Sequence, residues 1–479
     1  MISEQTPLVS SPGKHEDVYK RFKPAKKRVI VTLVSVTGLL ALFVSGTFVP
    51  SIPQIAKDLD STGPIVSLAV SLSILASSFG SLIGASYSSF YGRKPIYLVG
   101  TPLLFVGSVG VAASNTIVQL MVWRFVQALG ASPGLAVGSG VIGDIYKLEE
   151  RGQALGIFFG AVLLGPALAP LAGGLAAHYF SWRLMQLALG FVGLVIFVFA
   201  LLVFPETYHP GERGVDKVDH AELPTWRPVF VNPLRPLLLL RSPNLMAVVH
   251  PHWLCCGCSI LMSEQTLAGF TTLLTEFVLL IPLAYTIGVR YNITNEAIIG
   301  ACFLPVGLGN MIGAPLAGRL SDRIVVKCRK ERGGEWYPED RLKGTLLGAG
   351  VMVPLSALGC GFLTTYVPGK IGLALNLVCL FVNGLGVDFV LSPSAAYFVD
   401  LMHSRSAESM AANNGFRSIL MSLSIAAILP MIEAYGVLFT NTVSVALTWG
   451  GFGLLWFTIR YGNRLRAVVD VGFSTADNN

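Results

Sequence analysis

Four ionisable side chains stand inside stretches that are otherwise apolar: Arg124, Glu276, Asp388 and Arg417. An ionised group in hydrocarbon is costly and persists mainly where it faces a cavity, a partner or a bundle interior. Each is therefore a candidate functional residue. Glu276 lies near the middle of its apolar run, where desolvation favours the neutral form, the property required of a group that takes up and releases a proton. Pro282, shortly after it, can break the helix there. A guanidinium stays charged, so Arg124 cannot carry that proton. It can bind an anionic group, bias the proton affinity of a nearby carboxylate, or serve as a structural arginine tied to backbone carbonyls. Asp388 and Arg417 either pair with each other or line a cavity separately. Arg124 and Glu276 are expected to face one another across a shared water-filled vestibule.

The elements that must hold these groups are membrane spans. The 479-residue chain is 53% hydrophobic and only 13% charged, with a mean hydropathy of +0.65, against about 25% charged in soluble domains. About 20 apolar residues cross a bilayer. Runs of that size fall at 29–51, 65–87, 95–114, 117–141, 153–177 and 184–204, then at 267–289, 297–318, 344–366, 371–395, 409–432 and 436–459. The proline- and charge-rich stretch 205–243 separates two sets of six. The expected plan is a tail (1–28), a six-helix bundle (29–204), a linker (205–243), a second bundle (244–460) and a C-terminal tail (461–479). Lysine and arginine mark cytoplasmic loops. Of the 34 such residues, only Lys57, Arg183, Arg290 and Lys370 fall in the loops assigned outside, so both tails and the linker are placed in the cytoplasm.

Other classes find little support. A net charge of +7 would suggest nucleic acid only if the basic residues shared one soluble face, and here they occupy the gaps between apolar runs. The seven cysteines lack the spacing of a disulfide framework. No cleavable leader is expected, because the polar first 28 residues lead into a run long enough to span. Residues 244–266 fit no span and read as an atypical insertion. Their His250, His252, Cys255, Cys256 and Cys258 match no standard zinc spacing, and no metal or cofactor is expected. Asn292 opens an Asn-Ile-Thr glycosylation pattern in an outer loop. No nucleophile, base and acid constellation of an enzyme is apparent.

Several motifs point to one family. Gly92, Arg93 and Lys94 match the signature loop G-x-L-x-D-R-x-G-R-K of the major facilitator superfamily, with Ser89 at the acidic position and Ala85 at the first glycine. The second half repeats the pattern at Gly318, Arg319, Asp322 and Arg323, with Val325 in place of the later glycine, as diverged repeats related by an axis along the membrane normal would. Arg124, Gln127 and Gly130 resemble the family's fourth-span motif, and Gly165, Pro166, Pro170, Gly173 and Gly174 resemble the fifth-span motif of its proton-coupled antiporters. GDIYKLEERG at 143–152, FPET at 204–207, PEDRL at 338–342 and the stretch 395–418 are similar to fungal members of the twelve-span drug:proton antiporter branch.

The resemblance implies an all-α integral membrane protein of twelve helices in two pseudo-symmetric six-helix bundles. It implies a secondary active transporter that exports a small organic molecule against protons by alternating access, with Arg124, Gln127, Glu276, Asp388 and Arg417 binding substrate or coupling it. Asp144, Glu150, Arg151, Arg93 and Asp322 would form an inner charge network holding the outward-open state, and the Ser89 hydroxyl can cap a helix start. With Arg124 and Arg417 against few carboxylates, organic acids and amphiphilic metabolites are favoured over polycations. The partners implied are a small-molecule substrate, protons and the lipid of a cell membrane rather than a vacuole, with the chain a monomer and no nucleic acid. An importer or facilitator of a solute such as a sugar, and a non-transporting sensor of the same fold, are the alternatives.

Overall fold

The computed structural model describes residues 21–146, 148–209, 213–217, 256–293, 295–335, 337–401 and 406–468. Among them, twelve helices are long and apolar enough to cross a bilayer. They are α1 (Pro24–Asp58), α2 (Gly63–Tyr91), α3 (Arg93–Ala112), α4 (Ile117–Ile145), α5 (Ala154–Tyr179), α6 (Trp182–Leu202), α7 (Glu264–Gly288), α8 (Glu296–Glu331), α9 (Pro338–Tyr366), α10 (Gly369–Phe398), α11 (Asn413–Tyr435) and α12 (Val437–Gly462).

The packing repeats itself. In the first six helices α1 lies on α5, α3 on α4 and α6, and α2 on α4; in the second six α7 lies on α11, α9 on α10 and α12, and α8 on α10. Adding six to each label in the first set gives the second. The crossing contacts obey the same rule, since α2 meets α11 and α5 meets α8. Each bundle has its own core, one around Ile30, Val34, Tyr97 and Phe158 and the other around Leu279, Ile299, Val306 and Val445. A third cluster joins them, bringing Phe48, Ile52 and Val66 against Leu274, Val278 and Ile425. Exposed apolar stripes such as Leu184, Leu187, Phe191, Val195 and Val198 on α6 would be a liability in water and face lipid here.

Local chemistry sets the ends. Three helices starting at the end opposite the basic loops carry side-chain caps: Thr116 accepts from Gln119 N on α4, Ser181 from Arg183 N on α6, and Asn295 from Ala297 N and Ile298 N on α8. Such caps satisfy backbone donors that a helix start leaves unpaired. At the basic end, Gly92 turns α2 into α3 with φ 103, a region that favours glycine. Pro282 interrupts α7 as its sequence suggested: the regular helix stops at Leu280, and Tyr285 N and Thr286 N both donate to Pro282 O at 2.8 Å.

One boundary needs correction. Residues 256–266, set apart above as part of an insertion, are the first turns of a continuous helix Cys256–Leu280. The polar Ser263, Glu264 and Gln265 dilute the apolar signal there, which is why the run looks as though it begins later. His250, His252 and Cys255 lie outside the described residues, as do most of the linker and both chain ends. Glu276 still falls at the centre of the span Glu264–Gly288.

Candidate functional site

On α4, Leu120, Arg124, Gln127, Ala128 and Ala131 are buried, a helical spacing that makes one inward stripe. Arg124 is 0% exposed. Its Nη1 donates to Gln127 Oε1 at 2.8 Å and to Val44 O at 3.3 Å, its Nη2 to Ser73 Oγ at 3.3 Å, and its guanidinium lies 4.3 Å from the centre of the Phe48 ring. Val44 is near the point where the first segment of α1 ends at Gly46. Carbonyls of a last turn lack intrahelical donors and carry the negative end of the helix dipole, so a cation is well placed there. Gln127 Nε2 passes the chain on, donating to Ser108 Oγ at 2.8 Å and Gln186 Oε1 at 2.9 Å. One polar network therefore ties α1, α2, α3, α4 and α6 together.

That closure corrects an expectation. Among the described residues every partner of Arg124 belongs to the first bundle, and with no exposed surface it bounds no vestibule shared with Glu276 in this conformation. The backbone-tied arginine, one of the readings open at the sequence level, describes its geometry here.

The second bundle holds a different cluster. Glu276 on α7 is 7% exposed and accepts from Asn310 Nδ2 of α8 at 3.0 Å. Asp388 on α10 is 9% exposed and within electrostatic reach of Glu276. Glycines bring α8 and α10 close enough for this: a Cβ on Gly313 would stand 3.1 Å from Asp388 Cβ, and one on Gly384 2.7 Å from Asn310 Oδ1. Asp388 Oδ2 and Asn310 Oδ1 are buried with no hydrogen-bond partner. Buried acceptors without a donor are unusual in a protein interior, and a proton on the acid would turn one of them into a donor.

Arg417 does not pair with Asp388. It is half-buried, donates to Asn414 Oδ1 at 3.0 Å, and lies beside Gly269 and toward Leu391. Gly269 is two helical turns from Glu276 on α7, so the guanidinium stands nearer the basic end than the acids do. The ion pair is thus replaced by a separate cation along the same side of the bundle.

Between the bundles, the fifth-span motif is a packing surface. A Cβ on Gly165 would press on Leu42 of α1, and one on Gly173 would overlap Thr47. Gly174 meets Glu296 and Gly300 of α8, Gly300 in turn meets Pro170, and Gly307 meets Ala167. Gly160 and Gly156 continue the same face of α5, and Gly318 that of α8, yet a Cβ on any of the three would meet nothing within 4 Å. The two helices are thus tightly joined at the end away from the basic loops and diverge toward the basic end. His178 completes the join: its Nδ1 lies 3.1 Å from Glu296 Oε2 and its Nε2 3.2 Å from Asn295 Nδ2. Asn295 donating to Nε2 fixes the tautomer in which Nδ1 donates to Glu296.

At the basic end, Arg93 Nε meets Asp144 Oδ2 at 2.9 Å and Arg93 Nη1 donates to Ser88 Oγ at 2.9 Å. The carboxylate of Glu206, from the FPET stretch, accepts from Arg93 N at 2.8 Å and Lys94 N at 3.1 Å, capping the start of α3. Ser89, expected as a cap, instead donates to Ala85 O of its own helix. Asp322 pairs with Arg341 of PEDRL at 2.8 Å, while Arg323 is exposed. The inner charges thus form one network per bundle rather than the single one expected; the side chains of Glu150 and Arg151 lie outside the described residues. Asn292 sits exposed in the α7–α8 turn with φ 53, and Thr294 of its pattern is outside the described residues.

Glu206, Asn310 and the His178–Glu296 contact are the positions that sequence reasoning missed. FPET was noticed without a role for its acid. Asn310 had the weak signal of an amide inside an apolar run.

Residues 34–427 match the family profile described as Major Facilitator Superfamily. The efflux pump radE of Floropilus chiversii is 28% identical over 94% of this chain and 82% of its own length. The MFS-type transporter mpsC of Macrophomina phaseolina is 30% identical over 94% of this chain and 87% of its own. Among solved structures, the peptide transporter POT in complex with sulfate aligns over 95% of this chain and 99% of its own with a TM-score of 0.66 at 17% identity. The human organic anion transporter MFSD10 aligns over 91% and 100% with a TM-score of 0.59 at 15% identity.

Proposed function

This chain belongs to the Major Facilitator Superfamily, a multi-pass membrane transporter of a small solute, and from that membership we propose that it exports a small organic molecule in exchange for protons. The fungal relatives named as an efflux pump and as transporters support the direction. The observation that carries the coupling is the cluster of Glu276, Asn310 and Asp388, two buried acids at mid-span whose neighbouring acceptors lack a donor.

In this reading the basic loops face the cytoplasm and the structure is inward-facing, joined outside by α5 and α8. Protonation from the exterior satisfies the orphan acceptors and removes a buried charge. Release of the proton to the cytoplasm restores it and favours the state that accepts cargo, so the differential affinity of the two faces drives exchange. Gln127 and Arg124 hold the first bundle rigid while it rocks. The cargo is an organic acid or amphiphilic metabolite, and the preference for anions rests on Arg417, since Arg124 is enclosed. A plasma-membrane location and a monomer belong to the same proposal.

The test is export of a metabolite panel from cells with and without the gene, with and without a proton uncoupler. Loss of export on uncoupling is the expected result. Export that is present but indifferent to the uncoupler would overturn antiport and leave a facilitator.

A further inference from the structure

A groove of about 700 Å³ opens at the basic end of the second bundle, between the segment joining α8 to α9 and the last turns of α12. It is remote from the Glu276 cluster and plays no part in the transport cycle described above. Its charges are sorted by depth. Asp340 is 2% exposed and takes Arg332 in a two-pronged pair, 2.6 and 2.8 Å, with Lys343 Nζ at 2.9 Å. Glu339 is 4% exposed, turned against the backbone of Gly462. The cations face outward: Arg332 is 33% and Lys343 37% exposed, and Arg460, also exposed, pairs with no carboxylate among the described residues.

Arg332, Lys343 and Arg460 against the buried Asp340 and Glu339 leave one surplus positive charge, carried at the mouth of the groove. A ligand therefore meets N–H donors with the carboxylates behind them. Bonding to Asp340 also holds the Arg332 guanidinium more firmly protonated than usual and fixes its direction, with the Tyr337 ring 4.8 Å away. The remaining wall is apolar. Trp456, 52% exposed, and Ile459 stand on α12 beside the cations, in the arrangement of an aromatic anchor at the headgroup level.

We propose that this groove binds the phosphate-bearing headgroup of an anionic phospholipid of the adjoining leaflet, its acyl chains lying along Trp456 and the apolar face of α12. Three donors directed at one opening suit a phosphate, and basic pockets between spans on the cytoplasmic side recognise such headgroups. A soluble phosphate would use the same donors, but it leaves the apolar wall without an occupant.

The test uses the delipidated full-length protein in detergent, titrated with dioctanoyl phosphatidylinositol phosphate, dioctanoyl phosphatidylcholine or free inositol phosphate, with bound ligand read by native mass spectrometry. The phosphoinositide should be retained at least fivefold over phosphatidylcholine. Arg460→Ala and Trp456→Ala should each reduce retention several-fold, about what one basic residue near an anionic surface contributes, with unchanged thermal melting. Arg183→Ala, at the other end of the molecule, should change nothing. Equal retention of the two lipids, insensitivity to both groove variants, or a matching loss in Arg183→Ala would overturn the proposal. Free inositol phosphate binding as tightly as the lipid would overturn its lipid source.

Discussion

Each bundle buries a polar cluster, and the two differ in how many hydrogen bonds hold the charged group: Arg124 makes three donations and leaves only Nε unpartnered, whereas one bond is made to Glu276 and Asp388 Oδ2 has no partner. Around Arg124, three of the guanidinium's donations, a ring face and the Gln127 links to Ser108 and Gln186 engage five helices, and the side chain has no exposed surface. Around Glu276, the Asn310 amide donates to one of two acids, and Asp388 Oδ2 and Asn310 Oδ1 stay unmet. A densely bonded network resists change because each member is held by others. An open one invites a proton to complete it. The contrast assigns rigidity to the first bundle and chemistry to the second, although both clusters look alike as charges within apolar runs.

The largest effect expected from that contrast is on Arg124. Arg124→Ala should leave Gln127 Oε1 without a donor, an unmet buried group costing about 1–3 kcal/mol, remove one bond each from Val44 O and Ser73 Oγ, open a cavity the size of the guanidinium, and yield little folded protein by size-exclusion chromatography in detergent. Arg124→Lys keeps the charge without the fork and should fold with a clearly lowered melting temperature. A stable Arg124→Ala protein that had lost only its pH response would break the comparison, because the arginine would then belong to the coupling chemistry.

Next comes Glu276→Gln. The amide still accepts from Asn310 but cannot titrate, so the variant should melt within a degree or two of the parent. Exchange driven by a pH step in proteoliposomes should fall more than tenfold, while uncoupled substrate exchange survives. Coupled exchange at the parent rate would remove Glu276 from the mechanism. Asp388→Asn should act in the same direction but less, roughly three- to tenfold, because its amide can donate to Asn310 Oδ1 and so imitates the protonated acid. A larger loss than in Glu276→Gln would reverse the roles of the two acids.

The sequence carried the architecture well and the partners poorly, for a physical reason. A span is a local property, some twenty apolar residues in a row, and a proline such as Pro282 disturbs its helix wherever it sits. Partners are set by distant segments. Glu206 caps a helix that begins at Arg93, more than a hundred residues earlier, and Asp322 finds Arg341 rather than the first bundle. Arg417 and Asp388 could on sequence either pair or stand apart, and the structure keeps them apart because Asn414 lies a single turn away on α11 and takes the guanidinium. The fifth-span glycines were legible as permitting close approach, but only the fold shows that Gly173 faces α1 whereas Gly174 faces the other bundle.

The smallest expected effect concerns the seam between the bundles, where polar and apolar contacts share the closure. His178 and Glu296 are 34% and 27% exposed, and even an exposed contact between two full charges contributes only about 0.2–1 kcal/mol. Backbone contact at Gly174, Gly300 and Gly307, together with the apolar cluster around Phe48 and Ile425, covers far more area. Glu296→Gln should therefore raise the population open at that end by no more than about fivefold, read as the rate at which an impermeant thiol reagent reaches a cysteine placed at Ile52. Gly300→Ala, which forces a Cβ to 2.5 Å from Pro170 O, should raise it further. If the order were reversed, the side-chain latch and not helix contact would hold the exterior shut.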